Sequence, residues 1–241
     1  MKAVVCLPTY NERENLEPML RRLGEVFAAN GLGARVLVID DGSPDGTGEI
    51  ADRLAAELAY VDVLHRERKE GLGPAYLAGF RRVLEGDADL VLELDCDFSH
   101  DPSDVPRLVA AAGSADVVLG SRYVRGGGTR NWGLGRRVVS RAGCLYARLV
   151  LGVRIQDLTG GFKCFHRRVL ETIDLDAVRT KGYAFQIELT YRALRAGYQV
   201  VEVPIVFADR ELGGSKMSRG IVLEAIARVP ALRLRALLRR L

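Results

Sequence analysis

Residues 35–44 read RVLVIDDGSP. The run from Arg35 to Ile39 is almost continuously apolar, which is typical of a strand covered on both faces of a sheet. Two aspartates follow, and then Gly42-Ser43-Pro44, which is turn chemistry. The first half of the chain repeats this pairing of a buried strand with a polar turn, so the pairing is the basis for predicting the fold.

Other short apolar runs have the same character and are separated by segments with helical spacing. One such segment carries Leu16, Leu20, Leu23 and Phe27, and Asn11 with Glu14 predicts a capping box before it. Alternating strands and helices predict an α/β fold, with a single mostly parallel twisted sheet and helices on both faces. The predicted strands are Ala3–Leu7, Arg35–Ile39, Val61–Leu64, Leu90–Leu94 and Val117–Leu119.

The second half is less regular. We expect helices over residues 136–151 and 183–196, and a strand over 200–207. No linker rich in proline, glycine or serine divides the chain. We therefore predict one domain over residues 1–217, followed by a basic amphipathic helical segment over 218–241 that is interrupted near Pro230.

Composition excludes several protein classes. The 241 residues are 48% hydrophobic, which argues against a disordered chain, and the net charge of +4 is too small to indicate nucleic-acid binding. No run of about 18 apolar residues is present, and the apolar stretch at the N-terminus is shorter than a secretory signal requires. The four cysteines form no zinc-binding pattern, so we expect free thiols in a reducing compartment.

Polar side chains follow three of the predicted strands. In a parallel sheet the carboxyl ends of the strands meet at one edge, where ligands bind, so we expect these clusters to share a cleft. Asp95 and Asp97 share one side of their strand, and two neighbouring carboxylates need a compensating charge. Mg²⁺ or Mn²⁺ is the natural partner, with substrate phosphates completing its ligands. Asp40 or Asp41 could contact a ribose or a base, with a plain turn as the alternative.

Basic residues come later in the chain. Arg136 and Ser140 are four residues apart and share a helix face, and an arginine beside a hydroxyl suits a phosphate monoester. A solvated basic face is the alternative. Arg210 and Lys216 flank a glycine-containing loop of the kind that closes over diphosphates. Neither glycine-rich phosphate-binding fingerprint is present, so metal and side chains must hold any nucleotide phosphates.

Taken in order, these motifs resemble family 2 glycosyltransferases, and more narrowly the catalytic part of polyprenol-phosphate (dolichol-phosphate) mannose synthases that lack transmembrane helices. The resemblance covers roughly residues 1–220. The matching motifs are PTYNE at 8–12, DDGSPDGT at 40–47, GLG at 71–73, DCDFSH at 95–100, GSRY at 120–123, DLTGGF at 157–162, KGYAFQ at 181–186, VPI at 203–205 and residues 210–216.

The resemblance implies a GT-A fold, a GDP-mannose donor and a polyprenyl monophosphate acceptor. Asp97 would be the metal-binding residue of the D-x-D motif, with Asp95 contributing to metal or nucleotide contacts. Guanosine would lie among Pro8, Tyr10, Glu12 and Asp40. The acceptor phosphate would meet Arg122, Arg136 and Ser140, and Arg210 with Lys216 would contact the donor diphosphate.

We expect a single displacement that inverts the anomeric centre, because a phosphate monoester is already largely anionic at pH 7 and needs no strong base. The lipid acceptor places the enzyme at the cytoplasmic face of a membrane, held by the surface itself or by a membrane-embedded partner, with residues 218–241 as the candidate contact. Another donor, such as UDP-glucose, is an alternative. A more distant one is a non-catalytic subunit of a membrane glycosylation complex.

Overall fold

A computed structural model describes residues 1–178, 180, 182–209 and 219–238, without the side chains of 183 and 219–226. Its helices are α1 (Leu16–Ala29), α2 (Thr47–Glu57), α3 (Leu72–Leu84), α4 (Val105–Ala111), α5 (Leu134–Leu151), α6 (Arg167–Thr172), α7 (Gly182–Arg195) and α8 (Arg219–Leu237). Its strands are β1 (Ala3–Thr9), β2 (Ala34–Asp40), β3 (Val61–His65), β4 (Leu90–Glu93), β5 (Val117–Ser121), β6 (Gly128–Arg130), β7 (Lys163–His166), β8 (Val200–Pro204) and β9 (Val206–Ala208).

Seven strands form the central sheet, in the order β3-β2-β1-β4-β7-β5-β8. Neighbouring strands run parallel except around β7, which is antiparallel to both β4 and β5. This confirms the predicted α/β class and mostly parallel sheet. The sheet is accompanied by a small parallel pair, β6 with β9, which the prediction of a single sheet did not include.

Helices cover both faces of the sheet, as the continuous apolar strands predict. On one face α3, α5, α6, α7 and α8 contribute to a core that includes Phe80 and Phe165. On the other face α1, α2 and α4 pack around residues such as Leu20 and Leu54. The sheet is therefore buried from both sides, and its strand ends are left to carry the polar groups.

Three local predictions were wrong. Asn11 has a φ of +55° and caps no helix; its N–H donates to Ser43 Oγ at 3.1 Å, so this segment ties two loops together. The predicted strand over 200–207 is two strands, which part at Ile205. Pro230 lies inside a continuous α8, where buried neighbours such as Val229 and Leu232 hold the helix against the domain.

The described part of the C-terminal helical segment packs on the rest of the chain. Helix α8 contacts α5 and α7, and Val229, Leu232 and Ala236 join the same core. Arg233 Nη1 also donates to the carbonyl of Leu151 at 3.2 Å. Among the described residues, no helix is both long and apolar enough to cross a membrane.

Candidate active site

The loops after β1 and β2 are tied together at the carboxyl edge of the sheet. The N–H of Asp41 donates to the carbonyl of Thr9 at 3.0 Å, and the N–H of Glu12 donates to Thr47 Oγ1 at 3.0 Å. Because β1 lies between β2 and β4, the loop after β4 emerges at the same edge. The three polar clusters predicted to converge therefore share one side of the sheet, which we call the polar edge.

The two neighbouring aspartates after β2 have different environments. Asp41 accepts hydrogen bonds from Arg66 and from the N–H of Glu70, so the loop itself uses its charge. Asp40 accepts from the N–H of Ser43 at 3.2 Å, while its Oδ1 is buried and accepts no hydrogen bond from the described residues. A buried acceptor without a donor is costly, so Asp40 is the better candidate for a ligand N–H or O–H.

The other predicted nucleoside contacts lie beside Asp40. Pro8 stands opposite Ile39 in the β1–β2 register, one position before the pair formed by Thr9 and Asp40. The Tyr10 ring lies 3.9 Å from the Nζ of Lys69, and Glu12 accepts from Asn15 Nδ2 at 2.8 Å. A half-buried aromatic ring and two carboxylates thus line one end of the polar edge.

The acidic pair occupies the loop after β4. Asp95 is partly exposed, with 28% of its side chain accessible, whereas Asp97 is only 3% exposed. Asp97 Oδ1 accepts from the N–H of Ser99 at 3.0 Å and from the Ser99 hydroxyl. Phe98, between them, has a φ of +57°, which is strained for an aromatic residue. Such strain is concentrated at functional sites, where the surrounding structure maintains it.

The chemistry of this loop fits a hard divalent cation. Two carboxylates and a serine hydroxyl supply oxygen ligands, which Mg²⁺ and Mn²⁺ prefer. Within the described ranges, no group of three or more histidine, cysteine or acidic side chains is arranged to hold a metal. Mg²⁺ sites of this chemistry commonly use one or two carboxylates together with substrate phosphates.

A buried charged network lies beneath the acidic pair and was not found from the sequence. Glu93 and Lys163 face each other in the β4–β7 register, and both are fully buried. Burial raises the pKa of Glu93 to about 7, although the charge of Lys163 opposes the rise. Burial likewise lowers the pKa of Lys163 to about 8. Lys163 Nζ also donates to the carbonyl of Gln186 at 2.7 Å, which fastens α7 to the centre of the sheet.

His100 joins the polar edge to the second half of the site. Its Nδ1 lies 3.9 Å from Asp95 Oδ2, and its ring lies 5.0 Å from the Phe207 ring, centroid to centroid. Burial lowers the pKa of His100 to about 4, so the imidazole is neutral at pH 7. Phe207 in turn meets the Trp132 ring at 5.3 Å.

Trp132 belongs to what we call the basic aromatic cluster, which contains Arg122, Tyr123, Trp132, Arg136 and Ser140. Arg136 Cζ lies 4.0 Å from the centroid of the Trp132 ring, a cation–π distance, and Arg122 Cζ lies 5.6 Å from it. The Tyr123 hydroxyl donates to Ser140 Oγ at 2.6 Å. The structure therefore brings together the three residues predicted to meet the acceptor phosphate.

The two arginines of the cluster differ in burial and in the number of hydrogen bonds that they donate to described residues. Arg122 is 5% exposed and donates to the Asp157 carboxylate through its backbone N–H, Nε and Nη2, at 2.9, 2.7 and 2.6 Å. Burial opposes the charge of Arg122, but Asp157 outweighs burial and raises the pKa of the guanidinium. Arg136 has 28% of its side chain exposed and donates from Nη1 to Asp209 at 2.7 Å, while its buried Nε donates to no described residue.

Sequence reasoning missed Trp132, Phe207 and the role of Asp157. Trp132 is the chain's one tryptophan, and its position four residues before Arg136 was a usable signal. Asp157 is 35 residues from Arg122, so no local pattern reveals their pairing. Arg210 and Lys216 lie outside the described residues, and their predicted contact with a donor diphosphate stays a prediction.

Comparison with known proteins identifies the family. The model of Glycosyl transferase family 2 matches residues 4–174. An undecaprenyl-phosphate mannosyltransferase from Micrococcus luteus is 49% identical over 229 residues, covering 95% of this chain and 93% of that protein. A polyprenol monophosphomannose synthase from Mycolicibacterium smegmatis is also 49% identical, covering 95% of this chain and 85% of the relative.

Solved structures share the fold at lower identity. Glucosyl-3-phosphoglycerate synthase from Mycobacterium tuberculosis, in complex with Mn²⁺, UDP and product, has a TM-score of 0.65 at 21% identity, covering 99% of this chain and 79% of that one. A mannosyltransferase from Pyrobaculum calidifontis, in complex with GDP-Man and Mn²⁺, has a TM-score of 0.60 at 16% identity, covering 98% and 74%. These matches confirm the GT-A fold.

Proposed function

This chain belongs to glycosyl transferase family 2, and we propose that it transfers mannose from GDP-mannose to a polyprenyl monophosphate. The observation that carries the proposal is the near full-length similarity to two enzymes named for polyprenol-phosphate mannose chemistry. Membership of this enzyme family also removes the non-catalytic subunit from the alternatives. Donor identity, metal dependence and stereochemistry are the finer parts of the proposal.

The polar edge is the proposed donor site. Asp40 offers its unused buried oxygen to a base or ribose, and Tyr10 offers a ring beside it. Asp95 and Asp97, with Ser99 close by, would hold Mg²⁺ or Mn²⁺ against the diphosphate. A bound divalent cation supplies positive charge that stabilises the leaving nucleoside diphosphate. From the family resemblance, Arg210 and Lys216 are proposed to contact the same diphosphate.

The basic aromatic cluster is the proposed acceptor site. Arg136 keeps a buried Nε free of described partners, and Ser140 already accepts from Tyr123, so its own proton can be donated to a phosphate oxygen. Arg122 donates from Nε and Nη2 to the Asp157 carboxylate, and Nη2 also donates to Thr159 Oγ1 at 2.8 Å. This geometry favours a positioning role for Arg122, which supports the cluster from beneath.

The chemistry proposed is one displacement with inversion. A phosphate oxygen of the acceptor forms the new bond to the anomeric carbon while the bond to the GDP oxygen breaks. The second pKa of a phosphate monoester is about 6, so the attacking oxygen is already an anion at pH 7. None of the three histidines is placed to act as a general base, which agrees with a mechanism that needs none. His65 is held by Asp52 at 2.8 Å, the His166 ring nitrogen lies 2.7 Å from the carbonyl of Ala112, and His100 is buried.

A transfer assay tests the proposal. The full chain is incubated with labelled GDP-mannose, polyprenyl phosphate and Mg²⁺ or Mn²⁺, and label in the organic phase is counted. We expect a mannosyl phospholipid from the wild type and strongly reduced transfer from Arg136→Ala. Normal turnover by Arg136→Ala would overturn the acceptor site, and transfer from UDP-glucose in place of GDP-mannose would overturn the donor.

Metal dependence has a separate test. Asp97→Asn keeps the size of the side chain and removes the charge that would hold the cation. We expect it to lose metal-dependent transfer, and we expect the wild type to lose activity in chelator and regain it with Mg²⁺ or Mn²⁺. Full activity of either protein in chelator would contradict the metal assignment.

We extend the proposal to location at the cytoplasmic face of a membrane. The acceptor is a lipid, so the enzyme must reach a bilayer, directly or through a membrane-embedded partner. The four cysteines are buried and unpaired, which fits a reducing compartment. Fractionation of cells that express the full chain would test this. We expect the protein to sediment with the membranes and to be released from them by a salt wash. Recovery of the protein outside the cell would contradict the proposal.

A further inference from the structure

Helix α5 has an apolar side that faces away from the protein. Its inner side is buried through Cys144, Ala147 and Leu151. Its outer side exposes Leu134 (79%), Val138 (65%), Leu145 (52%) and Leu149 (73%). At about 100° per residue, the four exposed positions fall within about 60° of one another, and the centre of this arc lies about 140° from the centre of the buried positions. We call these four residues the outer stripe.

The charges of α5 have one sign. Residues 134–151 contain four arginines and no aspartate or glutamate. Arg137 and Arg141 are exposed and follow one border of the outer stripe. An exposed aliphatic band bordered by arginines is complementary to an anionic, apolar surface, which is the character of a membrane interface containing acidic phospholipid.

The helix also connects this surface with the acceptor site. Arg136 and Ser140 lie on α5, on the side that faces the protein. The stripe and these two residues are therefore separated by one helix diameter, about 10 Å. A bilayer that receives the stripe would have its headgroups within that distance of the groups assigned to the acceptor phosphate.

We propose that the outer stripe of α5 docks the enzyme on a bilayer containing anionic phospholipid, with Arg137 and Arg141 among the headgroups. This inference rests on the proposed function, because docking would bring the membrane-bound polyprenyl phosphate to the proposed acceptor site. The stripe is purely aliphatic. Protein interfaces concentrate their binding energy in tryptophan, tyrosine and arginine, whereas leucine and valine are under-represented there, so lipid is the better occupant.

The C-terminal helix α8, which the sequence predicted as the membrane contact, can be compared directly with α5. Leu234 and Leu237 of α8, which packs beside α5, are also exposed, and so is Leu238 directly after the helix. The other side of α8 packs on the core, as the inner side of α5 does. The residues assigned to the acceptor phosphate, however, lie on α5 and not on α8. We therefore assign the primary contact to α5, and an equal change on α8 serves as its matched control.

Vesicle binding tests the inference with the full chain. Vesicles of neutral lipid, with and without anionic phospholipid, are mixed with the wild type, with Leu145→Gln/Leu149→Gln, and with Leu234→Gln/Leu237→Gln. All four substituted positions are exposed, so the fold should be unaffected. We expect the α5 variant to lose at least about tenfold in partition to anionic vesicles and the α8 variant to lose much less.

Activity separates this inference from the proposed function. On a short-chain, water-soluble polyprenyl phosphate, the α5 variant should match the wild type. On long-chain acceptor in vesicles, its transfer should fall in parallel with binding. Unchanged partition of the α5 variant, loss confined to the α8 variant, or wild-type binding only to vesicles that contain membrane protein would each overturn the inference. Absence of transfer from the wild type to either acceptor would instead refute the proposed function.

Discussion

Replacing Asp157 by asparagine should cost the protein much of its stability. Asp157 is fully buried and accepts three hydrogen bonds from Arg122, which is itself almost fully buried. Asparagine has the same shape but only one acceptor oxygen and no charge. Arg122 remains protonated at any accessible pH, so the variant buries a cation without its partner.

The expected magnitude follows from that unpaired charge. Breaking a buried ion pair by removing one partner costs about 3–5 kcal/mol. For a chain of about 150–250 residues, each kcal/mol shifts Tm by about 2–4 °C, so the variant should melt roughly 6–20 °C lower. Urea unfolding followed by circular dichroism measures the same loss as a lower midpoint with an unchanged slope.

The pH dependence gives a second check. Burial opposes the charge of Asp157, but Arg122 lowers its pKa below the usual range. A lowered carboxylate pKa stabilises the fold above the unfolded value, near 3.9, and this contribution is lost as the pH falls through the folded value. The difference between wild type and variant should therefore be constant from pH 5 to 8 and shrink only in stronger acid.

Arg136→Gln is the matched control. Its ion pair with Asp209 is partly exposed on both sides, so its loss should cost at most about 1 kcal/mol while transfer falls sharply. A structural role for the Asp157–Arg122 pair is contradicted if the free energy of unfolding of Asp157→Asn lies within about 1 kcal/mol of the wild-type value and the variant binds the phosphate acceptor more weakly. That pair of results would make Arg122 a binding residue, as the sequence resemblance implies.

Two further substitutions separate positioning from packing. Trp132→Leu should raise the KM for the polyprenyl acceptor and leave the KM for GDP-mannose unchanged, because Arg136 loses the aromatic ring that lies 4.0 Å from its guanidinium. Trp132→Phe keeps a ring at this position and should retain most activity. Equal changes in both KM values would indicate a general structural defect. Glu93→Gln removes the negative charge that opposes the lowering of the Lys163 pKa, so the variant should lose stability relative to the wild type as the pH falls below about 8, and adding Lys163→Met should recover most of that loss in urea unfolding. No recovery in the double variant would show that the two charges are not coupled.

The polar edge could be predicted from the sequence because its geometry is a property of parallel sheets. Once Ile39 and Leu94 are recognised as the ends of parallel buried strands of one sheet, the aspartates that follow must lie at one edge. The turn pattern left both Asp40 and Asp41 as candidates, and the family resemblance favoured Asp40. Only the tertiary partners of Asp41, Arg66 and the N–H of Glu70, show which carboxylate keeps an unused oxygen.

The centre of the sheet was not predictable by the same argument. Strand β7 has four residues and begins with Lys163, a charge that local patterning places at the surface. Its burial depends on Glu93 and Gln186, which are distant in the chain. Likewise, nothing local distinguishes Arg122 from Arg136, since the carboxylate that occupies the first of them comes from a different loop.

A competition assay shows whether this enzyme makes a mannosyl polyprenyl phosphate. The full chain is given equal GDP-mannose and UDP-glucose together with polyprenyl phosphate and Mg²⁺ or Mn²⁺, and the lipid product is identified by mass spectrometry. We expect mannosyl phospholipid as the product, with an equal amount of GDP released. A glucosyl phospholipid, or consumption of GDP-mannose without any glycolipid, would contradict it.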